Sequence, residues 1–107
     1  MKKVRAVLFE ETNGTHTVWV GQCLELDIGS QANSREDIIY ELERAIAYTA
    51  IVGMELGHSP FEGIGEAPLK FFQLWDNPQP GVEAITLDIP HISETFFSDN
   101  IDWADAV

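Results

Sequence analysis

Asn13-Gly14 stands between two apolar runs, residues 4–10 and 17–24, and restricts the fold more tightly than any other pair in the chain. Asn-Gly is the strongest short-range signal for a hairpin, because both residues tolerate the positive φ that a tight turn between twisted strands requires. The first run reads VRAVLFE and the second TVWVGQCL, both rich in strand formers. In the second, Val18, Val20 and Leu24 alternate with Trp19, Gly21 and Cys23, so both faces are mostly apolar and the strand is covered on both sides or central. Residues 26–31 read as a third strand with Leu26 and Ile28 on one face. An antiparallel meander follows.

The next segment has helical spacing. Ser34 is a good N-cap and Asp37 stands three residues on, in a capping-box-like arrangement. Glu36 and Asp37 also suit the positive end of the helix dipole. The helix is expected over 34–56, closed by Gly57. Ile38, Leu42, Ala45, Thr49 and Val52 form one stripe, expected on the sheet. Tyr40, Ala47, Ile51 and Met54 form a second, expected against the C-terminal segment or another copy. After a Gly- and Pro-bearing loop, Pro68 opens a short helix over 67–76. Phe71, Phe72 and Trp75 make it apolar enough that it must dock. Residues 82–89 alternate like a fourth strand.

The expected class is therefore α+β: a three- to four-stranded antiparallel sheet in the order β-β-β-α-β, one long helix across it, a short second helix and an acidic C-terminal arm. One domain spans 1–90, with the arm at 91–107. A chain of 107 residues with 45% apolar content supports one modest core. More apolar surface than one small sheet covers implies a homodimer, with Tyr40, Ala47, Ile51, Met54, Phe71, Phe72 and Trp75 at its contact.

Charge and cysteine usage narrow the functions. The net charge is −12, which argues against direct DNA or RNA binding, since phosphates need clustered Lys and Arg. Residues 58–107 hold Lys70 against nine Asp or Glu. Such a half reads as solvated surface, and it also favours cationic partners. No apolar run reaches membrane-spanning length, and the start MKKVRAVLFEE meets acids too early for a signal peptide. One cysteine cannot form an internal disulfide, so a reducing, cytoplasmic setting is expected.

Catalytic and metal arrangements are thin. Glu10, Glu25, Asp27 and Glu41 are the carboxylates a two-metal nuclease would need, but the first strand carries its acids only at its exit. Glu25 and Asp27 share a strand face and read as solvated edge residues. Cys23 and His16 lie an odd number apart on one strand and so face opposite sides, which disfavours a nucleophile–base pair. His16, His58 and His91 lack zinc-ligand spacing. No metal or cofactor is expected.

WVGQCLELDIGSQANSREDIIYELERAI resembles the core of the HicB-like antitoxin family, whose members look like W-V-A-x-C-L-E-x-D-I-x-x-Q-G-x-S/T-x-E-E-A followed by an amphipathic helix. Trp19, Cys23, Leu24, Glu25, Asp27, Ile28, Gln31 and Ser34 stand at the matching positions. The resemblance covers residues 4–56. It implies a partial RNase H-like fold and a protein-binding role, since HicB-type proteins neutralise small basic HicA-type ribonuclease toxins. Ala32 stands where the family has a turn glycine. The C-terminal DNA-binding module of many HicB antitoxins has no counterpart in residues 58–107. The leading expectation is a non-catalytic, HicB-like protein-binding module. A divergent metal-dependent RNase H-like nuclease and a structural homodimer without a toxin partner are the alternatives. In the arm, Glu94, Phe96, Phe97, Asp99, Asp102 and Trp103 either dock a basic partner or pack on the protein itself.

Overall fold

The computed structural model describes residues 3–88. Six elements run in the order β1 (Lys3–Asn13), β2 (His16–Cys23), β3 (Gly29–Ala32), α1 (Arg35–Glu55), α2 (Leu69–Asp76) and β4 (Glu83–Asp88). The strands form one antiparallel sheet ordered β3-β2-β1-β4. This is the α+β arrangement the periodicities imply. The arm at 91–107, with Glu94, Phe96, Phe97, Asp99, Asp102 and Trp103, lies outside the described residues.

The hairpin closes on Gly14 and Thr15, with Asn13 paired to His16. Gly14 has φ +70, and among the described residues only glycines take a positive φ. The turn therefore places its glycine at the first central position, the requirement of a type II′ turn. β1 continues through exposed residues 10–13 because the ladder to β2 runs up to the turn, which an apolar pattern does not report.

The third strand begins at Gly29, not at residue 26. Residues 24–27 form a corner held by distant backbone. Leu24 N–H donates to the Arg5 carbonyl at 2.8 Å, Asp27 N–H to the Gly65 carbonyl at 2.8 Å, and Ala67 N–H to the Leu24 carbonyl at 2.9 Å. Leu26 and Ile28 nevertheless share one core.

The two faces of the sheet are covered by different helices. Val4, Ala6 and Leu8 of β1, Cys23 of β2 and Leu87 of β4 pack with α1 in the main core. Arg5 and Val7 point the other way by strand alternation. There α2 lies against β1, with Phe72 and Trp75 around Arg5. Val7, Leu24 and Ala67 are buried outside the main core. The chain thus wraps from one face of the sheet to the other before β4 closes its edge.

α1 starts at Ser34, whose Oγ accepts from Asp37 N–H at 3.1 Å. It ends at Leu56 with Gly57 at φ +82. Its buried residues are Ile38, Leu42, Ile46, Ala47 and Ala50. The expected sheet-facing stripe is thus correct for Ile38, Leu42 and half-buried Ala45, and then departs. The buried row steps by four residues, and four residues turn about 400°, so the row winds round the helix by about 40° per step. Ala47, expected at a dimer contact, is consequently core. Ile51 and Met54 are half-buried against that core, while Tyr40 is exposed. α2 has no fully buried residue, and Phe71, Phe72 and Trp75 are each half-covered.

Candidate functional site

The residues of WVGQCLELD have separate structural duties. Trp19 packs against the main core. Gly21 is where α1 meets the sheet: a Cβ there would stand 2.6 Å from Leu42 Cδ1. Cys23 is fully buried, and burial, reinforced by the nearby Glu25 carboxylate, pushes its thiol up to about 12. A thiol in that state is an apolar filler and not a nucleophile.

Glu25 and Asp27, the pair read as rim residues, take different partners. Glu25 Oε1 accepts from the Arg5 backbone N–H at 2.7 Å and its Oε2 from Arg5 Nε at 2.5 Å. The Arg5 guanidinium lies 5.5 Å from the ring centroids of both Phe72 and Trp75. One carboxylate and two rings thereby fasten α2 to the outer face of β1, with charge-assisted bonds and cation–π attraction acting together. Asp27 is exposed and accepts from Gln22 Nε2 at 3.0 Å.

Glu25→Ala is expected to cost about 2 kcal/mol, because it deprives a half-buried guanidinium and a backbone N–H of their acceptor. Asp27→Ala should cost under about 0.5 kcal/mol, as exposed sites do. Urea titrations of both variants measure the difference, and equal effects would refute the assigned roles.

The other charged pairs are peripheral. Arg35 Nε donates to Glu83 Oε2 at 2.6 Å, tying the start of α1 to β4. The hydrogen bond from Arg35 holds the Glu83 carboxyl below its usual range, and the same bond raises Arg35. This contribution is present above the unfolded carboxylate's pKa and is lost as pH falls through the lowered one. Arg44 Nη1 meets Glu41 Oε1 at 3.1 Å, and the Arg44 guanidinium carbon lies 6.0 Å from the Tyr40 ring centroid. Of the four nuclease candidates, Glu25 and Glu41 are thus ion-paired, Asp27 is bonded to Gln22, and Glu10 stands on β1 near the hairpin. Among the described residues no three His, Cys, Asp or Glu side chains group closely enough to hold a metal ion, and no helix is long and apolar enough to cross a membrane.

A groove of about 390 Å³ lies between α1 and β3. Ser30, Glu41, Arg44, Ala47, Tyr48 and Ile51 line it. Ala47 and Ile51 belong to the expected dimer contact. Phe71, Phe72 and Trp75 lie on the opposite face of the sheet, so the structure divides that set between two sites. Tyr48 is 71% exposed and escaped the sequence reading because both stripes were traced through other positions. Tyr40, Arg44 and Tyr48 recur every four residues on one side of α1, which was the available signal.

No protein-family model matches the chain, and no curated protein or solved structure does either.

Proposed function

We propose that the chain is a non-catalytic protein-binding module for a small basic protein, in the manner of a HicB-type antitoxin and its ribonuclease. The disposal of charge carries this reading. Each of the three arginines is spent on a carboxylate of the same chain: Arg5 on Glu25, Arg35 on Glu83 and Arg44 on Glu41. Glu10, Glu11, Glu36, Asp37, Glu55, Glu66, Asp76 and Asp88 remain exposed. With exposed Lys3 and Lys70 against them, the described surface is predominantly acidic, which steers cationic partners and repels nucleic acid. Of the carboxylates at the HicB-like positions, Glu25 serves the fold and Asp27 is exposed rim, and the single thiol is buried, so the chemistry on display is electrostatic attraction.

The test is a titration with a small basic ribonuclease of the HicA type. Association should slow by about tenfold or more between low and physiological salt, because charges at the rim of an interface act mainly on the on-rate. Ribonuclease activity should fall in step with binding. Absence of binding at tens of micromolar, or an on-rate indifferent to salt, would reject the reading.

A further inference from the structure

We propose that a second copy of this chain adds to β3, so that two sheets join across a two-fold axis into one eight-stranded antiparallel sheet. Among the described strands β3 lies at an edge of the sheet. Its polarity follows from the corner before it: Cys23 N–H donates to the Ile28 carbonyl at 2.9 Å. Bonded and non-bonded pairs alternate along an antiparallel ladder. Ser30 and Ala32, opposite Gly21 and Trp19, therefore bond inward to β2. Gly29 and Gln31 turn their N–H and C=O groups outward.

Among the described residues this rim carries no charge, proline or bulge, and its shortness, four residues, is its one protection. Edge strands are normally blunted by charge, proline or a bulge. β3 reads GSQA, without charge or proline, whereas β4 on the other edge carries Glu83 and Asp88 at its two ends. Beside the open rim lies the groove with the exposed ring of Tyr48.

Charge selects the occupant. The chain carries −12, so two copies repel over most of their surface. The groove is locally neutral, because among the described residues that line it the ionised groups are Glu41 and Arg44. A two-fold axis there presents each sign to the other without net repulsion. With the axis at Ser30, Gly29 of each copy lies opposite Gln31 of the other and four backbone hydrogen bonds form. Ser30 then faces Ser30 of the second copy as a non-bonded pair, about 4.5 Å apart at Cα. Ser30 shares its face of the sheet with Ala32, which packs on the α1 core. The two α1 helices therefore flank the axis, and their grooves meet.

Two variants of the full chain test this. Ser30→Cys places two thiols at disulfide distance across the axis, and the buried Cys23 does not compete. Mild oxidation should give linked dimer at least about tenfold faster than a control cysteine at exposed Ser59, because pre-association raises effective concentration to the millimolar range. Gln31→Pro removes an outward N–H that β2 does not use, a change edge strands tolerate, and should give a monomer by light scattering with an unchanged circular dichroism spectrum. Should that variant misfold, the cross-linking rate decides alone. Salt should tighten the native dimer by screening its net charge, the reverse of its effect on a basic partner. A native monomer at about 200 µM in high salt overturns the inference, at a concentration where even weak edge pairing registers. So does a dimer that Ser30→Cys cannot trap and Gln31→Pro does not disturb. Binding of a basic ribonuclease has no bearing on any of these readings.

Discussion

Native protein at pH 8 should react with iodoacetamide at least about 10³-fold more slowly than the same chain in urea. The thiolate is the reactive form. With an ordinary pKa of 9.0, about one Cys23 thiol in ten is ionised at pH 8; with a pKa of about 12, about one in 10⁴ is. Burial beneath α1 then denies the reagent access to the little thiolate that forms. The same shift has a consequence for stability. The folded pKa lies above the unfolded one, so the contribution is complete below pH 9.0 and drains away as pH rises toward about 12. Cys23→Ala should flatten that alkaline loss relative to wild type. Labelling followed by mass spectrometry measures the first effect. A native rate within tenfold of the unfolded rate would show Cys23 to be accessible.

What the sequence makes legible here is what is decided locally. The hairpin follows from Asn13-Gly14, the start of α1 from Ser34 and Asp37, its end from Gly57. Each depends on residues within four positions of one another. The misreadings arise where distant backbone intervenes. β3 begins late because Arg5, Gly65 and Ala67 bond residues 24–27 into a corner, and none of those partners is near in sequence. The stripe on α1 departs after Ala45 because the buried row winds round the helix, which periodicity along one line does not register. Glu25 looked like rim because its neighbour Asp27 is rim; its partner Arg5 stands twenty residues away.

The docking of α2 shows the same limit from the other side. The apolar content of FFQLW requires a partner surface, and β1 supplies one. Phe72 and Trp75 settle around a cation held by Glu25, and no count of apolar residues foresees a guanidinium at the centre of that contact. Likewise the α1–β3 groove exists because β3 ends the sheet, a property of strand order and not of the strand's own residues.

Leu42 and Gly21 should prove energetically coupled. Leu42 is fully buried, and its replacement by Ala should cost about 3 kcal/mol from lost burial and the cavity left behind. That is a large share of the roughly 5–15 kcal/mol a domain of this size has. Gly21→Ala alone should cost about 1–2 kcal/mol by overpacking. The added Cβ would stand 2.6 Å from Leu42 Cδ1, 3.1 Å from its Cγ and 3.0 Å from Ile38 Cγ1. In the double variant the methyl at 21 enters the space that the leucine vacates. Two of its three close approaches vanish, and only Ile38 must yield. The double variant should therefore be more stable than the sum of the singles predicts by about 1 kcal/mol or more, the coupling expected of residues in direct contact. Urea midpoints at constant slope measure all four corners of the cycle. Additivity within about 0.3 kcal/mol would mean that α1 does not rest on Gly21, and that the glycine in WVGQ answers to some other demand of the strand.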